Sequence, residues 1–443
     1  PKYTLIRLFI DKLMAMIKPQ MVPNQFSFAN KGTTIAIIDF LDNAFHQESI
    51  KGNKVLLVMW DFSNAFCTMS HSAIIDIAKR FGFCDQMELL LKNFLDQSKS
   101  MVKMSDVNGQ YMSNSFDTKR GCQQGQIGSD FIFSMINDQI LPRAIETEFL
   151  HRTKYVDDFA DIISSSSYNI LTKSLHENCD LLLKQSTSVG LKLNADKTQI
   201  MALNLTQLEI DELDHDITND PKYLGFKIGF KGKNRRLSGN PGACALINQL
   251  NAAVRTISSL RKVNKSLFSR LEAATSLVWS IINNLALVYI YADTTHWTKV
   301  CVAIRKVLKS AGLDRQAPSI DLYRVTLKLN PTQIAIKQII VLGLKTLDIN
   351  KIIASRYNFY DPDSNSKPFL YHFSKQFQLL GKEKRKKLID LFLGNADPKI
   401  SLVKVKGHLK SMFLKINNSD KKYDKVALNK LIFQMRYRIP KIS

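Results

Sequence analysis

RTKYVDDFADIIS, residues 152–164, sets Tyr155-Val156-Asp157-Asp158 between two short apolar runs. Two adjacent carboxylates at a tight turn suit magnesium. That ion prefers hard oxygen ligands and usually takes one or two carboxylates plus substrate phosphates. Surface turns carry such pairs routinely, so the pair draws its meaning from the segments around it.

Upstream, KVLLVMW (54–60) is a β-branched apolar run that reads as a buried strand ending at Asp61. An acid where a buried strand emerges is costly unless paired or metal-bound. Its other reading is an N-cap for the segment that follows. RGCQQGQIGSDFIF (120–133) is a polar loop leading into an apolar helix. There Gly121 and Gly125 allow the backbone close to a ligand, and Gln124 offers a donor and an acceptor to a nucleotide. GLKLNADKTQI (190–200) places Lys197 after a turn, facing a leaving phosphate as charge donor or general acid. A solvated surface lysine is the alternative. In KYLGFKIGF (222–230), Tyr223-Leu224-Gly225 reads as a strand whose glycine admits close backbone approach.

In this order the segments resemble the reverse transcriptase family. Asp61 with Ala65-Phe66 matches the first palm motif, and Arg120-Gly121, Gln124-Gly125 and Ser129 match the second. Tyr155-Val156-Asp157-Asp158 matches the third. Gly190-Leu191, Leu193-Asn194 and Lys197-Thr198 match the fourth, and Tyr223-Leu224-Gly225 the fifth, the primer grip. NQFSFANKGTT (24–34) looks like the fingers segment before the palm. Within the family the resemblance is to enzymes of non-long-terminal-repeat retrotransposons, with group II intron enzymes next. The second motif departs from the family pattern, which has an acid and two prolines where this chain has Gln126, Ile127 and Asp130. The chain begins at Pro1, already within the fingers, and is expected to be part of a longer reading frame.

The resemblance implies an α+β right-hand fold: a palm with an antiparallel sheet flanked by helices, partial fingers, a helical thumb and a mostly helical C-terminal region. It implies an RNA-directed DNA polymerase in which Asp61, Asp157 and Asp158 hold two Mg²⁺, with Mn²⁺ as a substitute. The backbone carbonyl of Phe62 completes the shell, and Gln124 and Gly125 line the nucleotide site. The expected partners are an RNA template, a DNA primer and deoxynucleoside triphosphates. Viral RNA-dependent RNA polymerases share the palm and metals. They carry a second acid where this chain has Phe66, which here favours DNA synthesis. A non-catalytic RNA-binding scaffold of reverse-transcriptase type is the other competitor, although all three carboxylates are kept.

Composition points the same way. Lys plus Arg total 62 against 39 Asp plus Glu, a net +23. That charge attracts a polyanion and is hard to explain for a small-molecule enzyme. Six scattered cysteines form no CxxC or Cys/His cluster, which excludes a zinc finger and fits reduced intracellular thiols. A nuclear or cytoplasmic location, without secretion, is the expectation. Residues 273–292 lack charge over a membrane-span length. Asn283 and Asn284 at their centre, and apolar residues at helical spacing, predict a buried core helix with no membrane partner.

The expected organisation is fingers and palm over 1–232, thumb over 233–330 and a basic helical region over 331–443. An amphipathic helix (Leu5, Leu8, Phe9, Leu13) opens the fingers, and SSSS (164–167) is a short loop. KGKNRRLSGNPGA (231–243) is the connector, where Lys231, Lys233, Arg235 and Arg236 either meet a phosphate backbone or are solvated.

Overall fold

The computed structural model describes residues 2–21, 25–27, 34–96, 99–106, 109–122, 128–140, 150–213, 215–231, 236–260, 266–312, 322–323, 326–327, 329–346, 368–393 and 398–419. The chain divides into two compact units. One holds Pro1–Thr33 with Phe40–Leu224, and the other holds Thr34–Asp39 with Gly225–Ser443.

The first unit begins with helix α1 (Lys2–Ile17), helix α2 (Thr34–Ile50) from Phe40 onward, and strand β1 (Lys54–Trp60). Helices α3 (Ala65–Thr68), α4 (His71–Arg80) and α5 (Asp85–Asp96) follow. Next come short strands β2 (Lys99–Ser100), β3 (Lys103–Asp106), β4 (Gly109–Met112) and β5 (Phe116–Asp117). Helix α6 (Ser129–Ile140) precedes the hairpin β6 (Leu150–Tyr155) and β7 (Asp158–Ser165). Helix α7 (Tyr168–Ser188), strand β8 (Gln199–Leu203), helix α8 (Gln207–Asp211) and strand β9 (Lys222–Tyr223) close it.

The palm sheet is antiparallel throughout, in the order β6-β7-β1-β8. Its central strand β1 is buried from Val55 to Trp60, which explains why its sequence is continuously apolar rather than alternating. Helix α7 packs on β7 and β1, and α6 packs on α4 and α7. The shared core runs from Ile10, Leu13 and Ile17 of α1 through Leu56, Val58 and Trp60 to Phe131, Phe133 and Ile136 of α6.

Three local expectations need correction. The buried face of α1 is Ile10, Leu13 and Ile17, at helical spacing, whereas Leu8 is exposed. Ser164 and Ser165 are not loop residues: they end β7, opposite Val55 and Lys54, and Ser164 donates to Glu48 Oε2 at 2.8 Å. Tyr223-Leu224-Gly225 is not one strand. Leu224 (φ +49°) and Gly225 (φ +77°) form a turn, and a Cβ on Gly225 would meet nothing within 4 Å.

The second unit carries short strands β10 (Phe226–Lys227), β11 (Gly229–Lys231) and β12 (Arg236–Ser238). Helices α9 (Asn240–Leu260), α10 (Leu267–Ile281), α11 (Leu285–Tyr291) and α12 (Thr294–Ser310) follow. Four more helices span Pro331–Thr346, Pro368–Leu379, Lys382–Leu393 and Pro398–Ser419. The run Leu267–Tyr291 is long and apolar enough to cross a membrane by length and composition. A 3₁₀ turn at Ile282–Asn284 breaks it, and every residue of α11 except Tyr289 is buried. Of YDPDSNSKP (360–368), expected from the sequence as a loop, residues 360–367 lie outside the described residues and Pro368 opens a helix.

Candidate active site

Strand β1 delivers Asp61 to the edge of the sheet. Trp60 pairs with Phe159, so the register continued by one residue sets Asp61 opposite Asp158. The segment after α7 fastens Asp61 from the other side. Asn194 donates its amide to the Asp61 carbonyl at 2.8 Å, and Ser63 donates to Lys192 O at 2.8 Å. Thr198 Oγ1 accepts the Asp61 amide at 3.5 Å and donates to Asn194 O at 2.9 Å. Phe62 forms the bridge to Leu193 between these bonds, which leaves its own carbonyl out of the ladder. Its ring meets Phe159 edge-on at 5.4 Å. Asp61 does not cap a helix, because Asn64 occupies the N-cap of α3.

The β6–β7 turn carries the other two carboxylates. Tyr155 pairs with Asp158, leaving Val156 and Asp157 as a two-residue loop. Val156 sits at φ +53°, a rare conformation for a β-branched residue. The Asn137 side-chain amide of α6 donates to its carbonyl. Burial, then the charges of Asp157 and Asp61, push Asp158 up to about 7. Burial also raises Asp157, with the Asp61 charge adding to it and a hydrogen bond from its own amide opposing. Asp61 Oδ2 is buried without a hydrogen-bond partner among the described residues. Three mutually repelling carboxylates with an unpartnered oxygen form an anionic cluster that a hard cation would relieve. Among the described residues, no group of three or more His, Cys, Asp or Glu is already gathered as a metal cage.

Two glycines explain how the first, second and fourth motifs converge. Gly121 (φ +72°) donates to Met69 O at 2.7 Å, and a Cβ there would lie 2.2 Å from Phe66 O. Its close approach is therefore to the chain's own backbone, not to a ligand as expected. His71 Nε2 lies 2.9 Å from Gly121 O. Gly190 (φ +84°) lies against Thr68 O in the same way, where a Cβ would sit at 2.7 Å. Both loops thus dock on residues 66–70, just after Asp61. Phe66 is half-buried, its ring 5.0 Å from that of Phe133. Gln124 and Gly125 lie outside the described residues.

The remaining expected site residues divide. Lys197 is exposed on a short 3₁₀ turn beside Thr198. Tyr223 is buried, its hydroxyl 3.1 Å from Thr153 Oγ1 of β6 and its ionisation pushed far up by burial. Lys231 ends β11, and Arg236 is half-buried in β12. Lys233 and Arg235 lie outside the described residues.

Sequence reasoning missed a buried network behind the hairpin. Arg152 grips Asp161 with two bonds, at 2.6 and 2.7 Å. Trp60 Nε1 and Asn178 Nδ2 also donate to Asp161 Oδ2, at 2.7 and 2.8 Å, and Arg152 donates to Asn178 Oδ1 at 2.6 Å. The available signal was register. With Tyr155 opposite Asp158, Arg152 falls opposite Asp161.

A family model described as reverse transcriptase (RNA-dependent DNA polymerase) matches residues 3–228, just over half the chain. No curated protein matches. Among solved structures, apo telomerase from Candida tropicalis has a TM-score of 0.41 at 11% identity, covering 91% of this chain and 61% of that one. The same enzyme truncated from its C-terminal domain has a TM-score of 0.38 at 11% identity, covering 53% and 45%. Telomerase from Candida albicans, in complex with a TWJ fragment of telomeric RNA, has 0.37 at 11% identity, covering 81% and 59%. The chain spans 45–61% of the length of these structures.

Proposed function

The chain belongs to the reverse transcriptase family, and from that premise we propose that it is an active RNA-directed DNA polymerase of retroelement origin. The observation that supports activity is the convergence of Asp61, Asp157 and Asp158, with Asp158 raised by its two neighbours and an Asp61 oxygen left unpartnered. Unneutralised carboxylates in such proximity are costly, and a structural role would favour their replacement. The donor set fits Mg²⁺. Asp61, Asp157 and Asp158 would hold it, with the Phe62 carbonyl available beside them. Bound there, Mg²⁺ would supply acidification of a primer 3′ hydroxyl and charge neutralisation at the triphosphate. The residues' own work is positional. Asn194 and Thr198 fix the Asp61 backbone, and the β6–β7 turn presents Asp157 and Asp158 against it. Gln124 and Gly125 would line the nucleotide site, and Lys197, exposed beside Thr198, would face the leaving phosphate. Tyr223, Leu224 and Gly225 would support the primer end. Within the family, the resemblance of the motifs is to the retrotransposon enzymes.

Primer extension on RNA and DNA templates tests this reading. Asp157→Asn should abolish extension while template–primer affinity stays near that of the parent. Loss of a metal carboxylate removes transition-state stabilisation, but phosphate contacts elsewhere still hold the duplex. Extension by Asp157→Asn at the parent rate would refute the site.

A further inference from the structure

Val156 occupies the left-handed region inside the turn that carries Asp157 and Asp158. A β-branched side chain disfavours that conformation, which persists only where the surroundings over-determine it. The turn sequence supplies no glycine or asparagine at this position. The restraint comes from α6. Asn137 is fully buried there, and its side-chain amide donates to the Val156 carbonyl. Its other amide atom, Oδ1, is buried and has no hydrogen-bond partner among the described residues. A buried unsatisfied acceptor is a cost that an apolar side chain would avoid, so the donor is the reason for an asparagine. The backbone carbonyl of Asn137 accepts from the buried Lys154 Nζ at 3.2 Å, which ties the same helical residue to β6. One turn earlier, Ser134 of α6 meets the fingers segment. Its carbonyl accepts from Gln25 Nε2 at 3.4 Å, and its hydroxyl lies 2.8 Å from Ser27 Oγ. Phe26 in turn donates its amide to Lys154 O at 2.8 Å.

We infer that Asn137 is a positioning residue, a latch by which α6 holds Val156 in its left-handed conformation and so aims Asp157 and Asp158. The latch rests on the polymerase reading for its kinetic consequence but not for its structural one. Released, Val156 relaxes toward an ordinary β-region or right-handed conformation, and the two carboxylates swing with the turn.

A double-mutant cycle between Asn137→Ala and Val156→Gly tests the latch, because glycine adopts a positive φ without restraint. Asn137→Ala should lower kcat for primer extension about tenfold, the population ratio that left-handed strain in a non-glycine residue implies. KM for template–primer should stay unchanged. In the Val156→Gly background the same substitution should cost less than about threefold, since little strain is left to restrain. A core defect unrelated to the turn would give equal losses in both backgrounds, and that result overturns the proposal. Amide hydrogen exchange at Val156, Asp157 and Asp158 supplies a readout independent of activity: Asn137→Ala should speed it while the melting temperature moves little. Unchanged exchange in a folded Asn137→Ala protein also overturns the latch. If the parent extends no primer, the polymerase reading fails while the exchange measurement still decides the latch. Should Asn137→Ala not fold, Asn137→Ser keeps a shorter donor and should show the same pattern at smaller amplitude, and its absence there counts against the latch.

Discussion

On the polymerase reading, Phe66 would have two duties that pull on the same ring. It packs against Phe133 at 5.0 Å and belongs partly to the core, yet it stands five residues after Asp61, where an incoming sugar would lie. A ribose there would bring its 2′ hydroxyl against an aromatic ring that offers no hydrogen bond. Desolvating that hydroxyl costs about 1–3 kcal/mol, roughly a 5- to 150-fold preference for deoxynucleotides. Phe66→Ala should lower the ratio of kcat/KM for dNTP over rNTP. It should also lower stability by less than the roughly 3–5 kcal/mol of a fully buried Phe→Ala change, because the ring is only half-buried. The ratio is read within one protein, so a stability loss common to both substrates cancels. An unchanged ratio in a folded, active variant would leave Phe66 as a packing residue alone. At this scale the residues legible in the sequence are those whose type is itself improbable. Asp61 at the end of an apolar run and the Asp157-Asp158 pair declare themselves. Asn137 does not, because an asparagine in the polar run Asn137-Asp138-Gln139 of α6 gives no hint that its partner is a strained carbonyl 19 residues away. Gly121 was legible as a glycine needing close approach, but what it approaches, Phe66 O, depends on tertiary docking.

Among the elements, the β6–β7 hairpin depends on the Arg152–Asp161 pair, which is buried and joins β6, β7, β1 and α7 through Trp60 and Asn178. Breaking a buried pair from one side strands the other charge. Arg152→Met should therefore cost about 3–5 kcal/mol in denaturant unfolding. Adding Asp161→Leu removes the stranded carboxylate and should recover part of that loss. A double variant as unstable as the sum of the singles would show that the pair holds no charge-specific role. Strand identity was readable where the chain is continuously apolar, as in β1, but strand ends were not. Ser164 and Ser165 have the composition of a loop, and the β1 register with the Glu48 carboxylate extends the strand through them. The turn at Leu224 and Gly225 was hidden for a related reason, since leucine rarely takes φ +49° and nothing local announces it. In α1 the periodicity held at Leu13 and Phe9, whereas Leu8 is exposed and Ile10 and Ile17 are buried, a choice that only the core they meet decides.

For the whole molecule the governing quantity is charge. The net +23 is unevenly spread: helix Pro398–Ser419 contains Lys399, Lys404, Lys406, Lys410 and Lys415 and no Asp or Glu. Lys406 and Lys410 are exposed, four residues apart on one face. They also crowd Lys337 of Pro331–Thr346, whose pKa is lowered by burial first and by these two neighbours after. Lysines so gathered repel one another unless an anion joins them. A nucleic-acid backbone is such an anion, and binding it releases condensed counterions, so affinity must fall with salt in proportion to the phosphates neutralised. Template–primer affinity should therefore drop steeply between about 50 and 200 mM salt, by roughly 10³–10⁵ if about six to ten phosphates are contacted. Lys406→Gln with Lys410→Gln should flatten the logarithmic slope by about two, at the roughly 0.9 per phosphate expected of a duplex. Their exposure makes a stability change beyond about 0.5 kcal/mol unexpected, so a melting curve separates lost contact from lost fold. A parent affinity that is flat across that range would mean that the charge serves solubility rather than a polyanion. A steep parent slope left unaltered by the pair would move the contact surface away from this helix while keeping the polyanion.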